Sequence, residues 1–251
     1  MGFWGFLGRG PLSEKKIARV AKLAANPFAQ PDVRMREMQR LLQDGSEAAV
    51  TGLLRRFAAN AQGQIADEDE KKWLENALVE RGETVLPPLR AYIAHGDKLT
   101  YALRAYRRIA GGPAAIALFL ATLRQHGPES YRPSEAKLQL VWQLSEDLGD
   151  QQVLPQLLPF LHDHSDDVRW AVLELLEQAG KLLPSVDPRV QAALPEMASL
   201  LVEGGASARI VRRCAEVLVN LGWALPPPLP TLPASLGAGF HLDKKGILRR
   251  P

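Results

Sequence analysis

Apolar residues recur at helical spacing through residues 150–180, and this stretch defines a unit that other parts of the chain repeat. The spacing predicts a first helix whose apolar face consists of Val153, Leu154, Leu157, Leu158 and Leu161. It predicts a second helix whose apolar stripe consists of Val168, Ala171, Val172, Leu175, Leu176 and Ala179. Ser165 is the expected N-cap of the second helix and Gly180 its expected C-cap. Because one helix pair cannot bury two such faces alone, the pattern predicts neighbouring pairs.

Comparable helix pairs are predicted along most of the chain. Their second helices are expected to begin near Asp32, Asp67, Asp97, Pro133, Asp167 and Ala206, at steps of 35, 30, 36, 34 and 39 residues. A regular period of this length is typical of stacked helical repeats. The predicted fold class is therefore all-α, an α-solenoid of about six helical pairs.

Two of the predicted second helices open with the same motif. Asp32-Val33-Arg34 and Asp167-Val168-Arg169 share it, and prolines occur in the first helix of the 150–180 unit. These features resemble a HEAT or HEAT-like repeat of the PBS-lyase type. Tetratricopeptide and ankyrin repeats have a similar period, but neither W-x2-L-G-x2-Y nor T-P-L-H occurs. The resemblance covers residues 13–222 and implies a right-handed solenoid whose second helices line the concave side.

Two segments flank the predicted solenoid. Residues 1–12 place Phe3, Trp4 and Phe6 among glycines, and two interpretations stay open: a cap on the first repeat, or a segment that docks on a partner or makes weak membrane contact. Residues 223–251 begin as a proline-rich linker and end as a basic extension. Apolar and polar residues alternate there on both sides of a turn. This pattern predicts a short β-hairpin whose apolar residues are Phe240, Leu242, Ile247 and Leu248.

The composition is that of a folded protein, with 46% hydrophobic and 24% charged residues. No apolar run approaches the roughly 18 residues that a transmembrane helix needs, and no signal peptide is expected. The single cysteine, Cys214, excludes an intramolecular disulfide and lies on the inward stripe of its predicted helix. Together these observations predict a cytoplasmic protein.

The net charge of +3 is concentrated at the C-terminal end. Without Lys244, Lys245, Arg249 and Arg250, the chain has 27 basic and 28 acidic residues. A nucleic-acid interface requires a cationic surface, so a uniformly basic groove is disfavoured. The basic end has two open interpretations, a binding segment for an acidic surface or a solvated terminus.

The sequence contains no recognisable set of catalytic or metal-binding residues. HExxH, G-x-S-x-G, a phosphate loop and a dinucleotide fingerprint are all missing from the sequence. His162 and His164 flank a turn without a second pair of ligands nearby. HEAT-like metal hydroxylases use paired His-Glu motifs, and no His-Glu dipeptide occurs here. The acidic residues from Asp67 to Glu70 are explained as partners of the helix dipole. No enzyme activity, cofactor or metal is expected.

One alternative function comes from the same resemblance. Some HEAT-like proteins are DNA glycosylases, which place aromatic residues beside a carboxylate in a basic concave groove. Trp142 with Glu146, and Trp170 with Glu174, have the i, i+4 spacing of such a pair. The nearly neutral body of the chain argues against phosphate binding. A nucleic-acid-binding protein, including a DNA glycosylase, is therefore the second hypothesis.

The first hypothesis is a non-catalytic scaffold or adaptor that binds a protein partner on its concave face. Tryptophan, tyrosine and arginine dominate protein interfaces, so these residue types on the second helices are the candidate partner-binding positions. They are Trp73, Tyr101, Arg104, Arg108, Trp142, Trp170, Arg212 and Arg213. The structural alternative is that Arg34 and Arg169 pair with aspartates of adjacent repeats and that the tryptophans pack between repeats.

Overall fold

A computed structural model of the chain describes residues 11–130, 134–202, 204–237 and 239–250. The predicted aromatic segment at Phe3, Trp4 and Phe6 lies outside these residues. The described part is helical, and the helices are α1 Glu14–Ala24, α2 Pro31–Asp44, α3 Glu47–Ala58, α4 Gln64–Arg81, α5 Leu86–His95, α6 Thr100–Ala110, α7 Gly112–His126, α8 Ser134–Leu144, α9 Val153–Leu157, α10 Asp166–Leu182, α11 Pro188–Leu200 and α12 Ala208–Leu221. Two short strands follow, β1 His241–Leu242 and β2 Leu248–Arg249. The predicted all-α fold with a short C-terminal hairpin is confirmed.

The predicted repeat matches the observed helices. The six expected second helices correspond to α2, α4, α6, α8, α10 and α12, which begin at residues 31, 64, 100, 134, 166 and 208. Each observed start lies within about three residues of the expected one, the usual uncertainty of a helix boundary read from sequence. The apolar period therefore identified these elements correctly.

The chain divides into two units, Met1–Ala115 and Ile116–Pro251. In the first unit, α3 packs between α1 and α5, and α4 packs between α2 and α6. Helix α1 also pairs with α2, and α5 pairs with α6. The first unit thus has two layers of helices, and the second helices α2, α4 and α6 form one of them.

The second unit has the same kind of layer. Helix α10 packs between α8 and α12, so these three second helices lie side by side. Helix α9 is short and continues as a 3-10 helix, Leu158–His162. Pro155 and Pro159 explain the short α-helix, since proline lacks the N–H that an α-helical turn requires. Helix α11 packs against α9 and the 3-10 helix.

A buried ionic network joins three helices of the first unit. Arg34 of α2 donates to both oxygens of the Glu70 carboxylate, at 2.9 and 2.7 Å. Arg56 of α3 donates to Glu70 at 2.9 Å and to Asp67 at 2.6 Å. All four side chains are buried. The interpretation of Asp67 and Glu70 as helix-dipole partners is therefore incomplete, because Asp67 does lie in the first turn of α4 but both carboxylates also neutralise buried arginines.

The prediction that Gly180 ends its helix is wrong, because α10 continues through it to Leu182. A Cβ atom at residue 180 would lie 2.6 Å from the Trp223 ring and 2.7 Å from Leu221. Trp223 is buried. Glycine is therefore present at this position to let Trp223 pack against the helix.

Substituting Gly180 with alanine is expected to lower the free energy of unfolding by about 1–3 kcal/mol, because the added methyl group overpacks the contact with Trp223. The loss occurs even though alanine favours a helix over glycine by about 1 kcal/mol. Urea unfolding followed by circular dichroism measures it. Gly112→Ala is the control, since a Cβ there meets open space. Equal stability of Gly180→Ala and the unmodified chain would contradict this account.

The C-terminal segment packs on the last second helix. Strand β2 and the 3-10 helix Ala234–Leu236 contact α12, and Leu248 and Leu225 are buried. The Leu225 N–H donates to the Gly246 carbonyl at 2.9 Å, which ties the chain after α12 to the hairpin. Among the described residues, no helix has the length and hydropathy needed to cross a membrane.

Candidate functional site

The second helices of the second unit present a cluster of aromatic and charged side chains, which we call the Trp170 surface. It consists of Trp170, Glu174 and Glu177 on α10 and Arg209 and Arg213 on α12. The indole of Trp170 lies against both guanidinium groups, at 4.8 Å from Arg209 and 5.3 Å from Arg213, measured from Cζ to the ring centroid. Cations over the face of an indole are attracted by its quadrupole.

Helical periodicity explains why these side chains are outside the core. The apolar stripe of α10 is buried, whereas positions 170, 174 and 177 fall on the opposite face. On α12, positions 209 and 213 are one turn apart and lie off the buried stripe. Because α10 and α12 pack side by side, these two partly exposed rows meet along their common edge.

Ion pairs and hydrogen bonds hold the Trp170 surface in one arrangement. The Trp170 indole N–H donates to the Glu174 carboxylate at 3.0 Å, and Arg213 donates to Glu177 at 2.6 Å. Asn220 donates to the other oxygen of Glu177 at 2.9 Å. Burial opposes ionisation of Glu177, but the hydrogen bonds from Asn220 and Arg213 prevail and lower its pKa. Glu177 is therefore a carboxylate near neutral pH and does not suit a general acid.

Two further predicted residues lie on the same layer of helices. Trp142 on α8 is 37% exposed, although most tryptophans bury more of their surface. Arg212 on α12 is exposed and pairs with Glu216 one turn later, at 3.2 Å. The structure thus places Trp142, Trp170, Arg212 and Arg213 on neighbouring second helices of one unit.

The remaining predicted residues belong to the first unit. On α6, the guanidinium of Arg104 lies 5.0 Å from the Tyr101 ring, and Arg108 donates to Glu75 of α4 at 3.0 Å. Tyr101 also stacks on Phe57, with centroids 5.6 Å apart. Burial is the main cause of the raised pKa of Tyr101. Tyr101 thus packs against Phe57 and Arg104 of the same unit, and this packing is enough to explain an aromatic residue at this position.

Trp73 lies half-buried on α4, the helix that packs against α6. The eight predicted residues therefore fall into two groups, one in each unit. Their role in binding a partner stays a prediction, as do the predicted domain boundaries and the cytoplasmic location.

Sequence analysis missed Arg209, Glu177 and Asn220. Arg209 had a usable signal, because it precedes Arg213 by one helical turn and an aromatic position was already suspected. Glu177 and Asn220 had none. Their contact joins residues 43 positions apart, and such pairing depends on how α10 and α12 are aligned.

His162 and His164, which flank the turn before α10, contact different side chains. The Nε2 atom of His162 contacts both Glu196, at 2.9 Å, and Ser199, at 3.4 Å. A nucleophile–base–acid triad places the hydroxyl and the carboxylate on opposite ring nitrogens, so this arrangement cannot relay a proton. His164 lies against Asp163 instead, at 3.3 Å. Across the described ranges, no three side chains of metal-binding type group together.

Cys214 is fully buried on α12, as the sequence predicted. Its thiol lies 3.5 Å from the Met197 carbonyl oxygen. Burial raises the pKa of the Cys214 thiol well above its usual range. A thiol that stays protonated and has no solvent access is a packing group and not a nucleophile.

Comparisons with known proteins do not show a family for this chain. No family model and no curated protein matches the chain. Among solved structures, human deoxyhypusine hydroxylase in complex with glycerol is similar at 16% sequence identity and a TM-score of 0.33. The match covers 83% of this chain and 86% of that one. This similarity does not establish a family for the chain.

This comparison corrects two predictions. The sequence was interpreted as a non-catalytic scaffold or adaptor and as not being an enzyme, whereas the similar structure is that of an enzyme. A helical repeat architecture therefore gives no ground for excluding catalysis. Both predictions are contradicted and are withdrawn.

Proposed function

We propose that this chain binds a segment of a protein partner at the Trp170 surface. The observation that carries the proposal is the position of the Trp170 indole, in contact with both Arg209 and Arg213 where two packed helices meet. Tryptophan and arginine contribute most often to the energy of protein interfaces. The ion pairs to Glu174 and Glu177 keep the side chains in place before a partner arrives, which reduces the entropy lost on binding.

The charges of this surface favour a protein over a nucleic acid. Helices α10 and α12 together carry five acidic and five basic side chains. Arg209, Arg212 and Arg213 each pair with a carboxylate of these two helices. Phosphate binding requires cations in excess, because the affinity comes largely from the release of counterions. A surface of balanced charge, with the exposed Trp142 on the neighbouring helix α8, suits a protein segment better.

Trp170→Ala and Trp142→Ala are expected to weaken partner binding by at least about tenfold, since truncating an interface tryptophan typically costs 2 kcal/mol or more. The measurement is affinity capture from nuclease-treated lysate of the cells that make the protein, followed by titration of the captured partner. Trp142→Ala is the variant that should leave the fold intact, because Trp142 is already partly exposed. A loss of binding in this variant therefore reports on the partner contact and not on folding.

Phe28→Ala is the control, because Phe28 is an exposed aromatic residue of the other unit and is not one of the predicted binding residues. It should leave the affinity unchanged. The proposal is wrong if all three variants bind the partner equally well. It is also wrong if the captured material disappears on nuclease treatment, which would favour a nucleic acid.

A further inference from the structure

The C-terminal hairpin carries the excess positive charge of the chain on a fixed turn. Asp243 accepts hydrogen bonds from the N–H groups of Lys245, at 2.8 Å, and Ile247, at 3.0 Å. These bonds, chiefly the one from Ile247, lower the pKa of Asp243. Arg249 lies 3.4 Å from the same carboxylate. The one acidic group of the hairpin is thus occupied in holding the turn.

The turn itself is fixed by its neighbours. Gly246 has a φ of 76°, and a Cβ there would lie 2.7 Å from the Leu225 carbonyl oxygen. The bridge between Ala224 and Ile247 attaches the hairpin to the chain that leaves α12. The position of the turn relative to α12 is therefore set by backbone contacts.

An exposed apolar loop lies beside the two lysines of this turn. The Leu229 side chain would be 2.9 Å from a Cβ at Gly246, and 42% of Leu229 is exposed. Pro227 and Pro228, which precede it, are exposed as well. Lys244 and Lys245 are exposed and make no ion pair with any residue that the structure describes. We call this combination of residues 227–229 with Lys244 and Lys245 the hairpin tip.

We infer that the hairpin tip binds an anionic lipid surface. Lysines next to a negatively charged membrane are attracted to it, and adjacent apolar side chains gain by entering the interface. Arg249 and Arg250 add to the same positive field. A nucleic-acid backbone would use the lysines but would leave Leu229 and the two prolines in water. A lipid interface satisfies both parts of the tip, so it is the favoured partner. This inference is independent of the function proposed for the Trp170 surface.

The test is co-sedimentation of the full chain with vesicles. Phosphatidylcholine vesicles are compared with vesicles that contain about 30 mol% phosphatidylserine, at about 0.05 and about 0.5 M salt. Binding is expected only to the anionic vesicles and only at low salt. Lys244→Glu/Lys245→Glu should weaken it at least about tenfold, and Leu229→Ser at least about threefold.

Lys15→Glu/Lys16→Glu is the matched control, because it makes the same change of net charge at two exposed adjacent lysines of α1. This control should bind as the unmodified chain does. Equal loss in both lysine pairs would overturn the inference, since it would show a response to net charge alone. Deletion of residues 1–10 should leave binding intact, and loss in that deletion would assign the membrane contact to the N-terminal segment instead. Stronger retention on single-stranded nucleic acid than on anionic vesicles would also overturn it.

Discussion

Replacing Glu70 with alanine is expected to lower the free energy of unfolding by about 3–5 kcal/mol, because it leaves two buried arginines without their shared carboxylate. Glu70 accepts from Arg34 at 2.7 Å and from Arg56 at 2.9 Å, and both arginines are buried. These residues come from α2, α3 and α4. Loss of Glu70 therefore weakens the packing of three helices at once.

Urea unfolding followed by circular dichroism measures this loss, with Glu68→Ala as the control. Glu68 lies on the same helix, its side chain is 46% exposed, and its carboxylate is 3.9 Å from the Lys72 ammonium. Its replacement is expected to change the stability by no more than about 0.5 kcal/mol. Similar effects of the two substitutions would show that the buried network contributes no more than a surface ion pair.

The same network predicts how stability depends on pH. Burial raises the pKa of Asp67, but hydrogen bonds from Lys71, the Ala61 N–H and Arg56 outweigh it and lower this pKa to about 2. The pKa of Glu70 is also lowered, against the effect of burial, by its bonds to Arg34 and Arg56. A lowered pKa stabilises the fold above the unfolded-state value, and this contribution is lost as the pH falls through the folded-state value. The difference in stability between the unmodified chain and Glu70→Ala should therefore shrink as the pH falls from the ordinary pKa of a glutamate through the lowered pKa of Glu70.

Replacing Lys137 with alanine is expected to cost about 3–5 kcal/mol, because it leaves the Asp163 carboxylate buried without a counter-charge. The Lys137 ammonium lies 2.5 Å from Asp163 and donates to the Ser130 carbonyl at 3.0 Å. Both side chains of the pair are 0% exposed. Lys137 thus attaches the start of α8 to the turn before α10, and thermal or urea unfolding measures the loss.

A double substitution distinguishes the charge from the packing. Lys137→Met/Asp163→Asn removes both charges, keeps most of the lysine stem, and leaves an amide oxygen for the Ser165 N–H that Asp163 accepts at 2.9 Å. Replacing both members of a buried ion pair is much less destabilising than removing one. The double variant is therefore expected to recover most of the stability that Lys137→Ala loses. A double variant as unstable as Lys137→Ala would contradict this account, because the double variant keeps the stem and leaves no uncompensated charge.

The fold was largely predictable because its helices follow the apolar period. The starts of the second helices follow from that period and from turn residues, both of which are local in sequence. Gly180 shows the limit of local signals. Glycine after an apolar stripe usually ends a helix, but here it makes room for Trp223, a residue 43 positions later. No local pattern contains that contact.

The charged residues show the same limit more clearly. The pairing of Arg34 with an acidic residue of the next repeat was anticipated, although its partner is Glu70 and not an aspartate. Asp67 and Glu70 stand in the first turns of α4, where acids are common, so their buried role was not visible. At the candidate site, the i, i+4 spacing predicted that Trp170 and Glu174 are neighbours, and they share a hydrogen bond. The contacts to Arg209 and Arg213 required the packing of α10 on α12.

The central claim, that a protein binds at the Trp170 surface, is tested most directly by site-specific photocrosslinking in the cells that make the protein. Benzoylphenylalanine is placed at Trp142 or Arg212, and at exposed Arg36 of α2 as a control. The expected result is that positions 142 and 212 crosslink to the same protein, with or without nuclease, and that position 36 does not. Crosslinks from position 36 alone, or an adduct at 142 and 212 that is a nucleic acid, would contradict the claim.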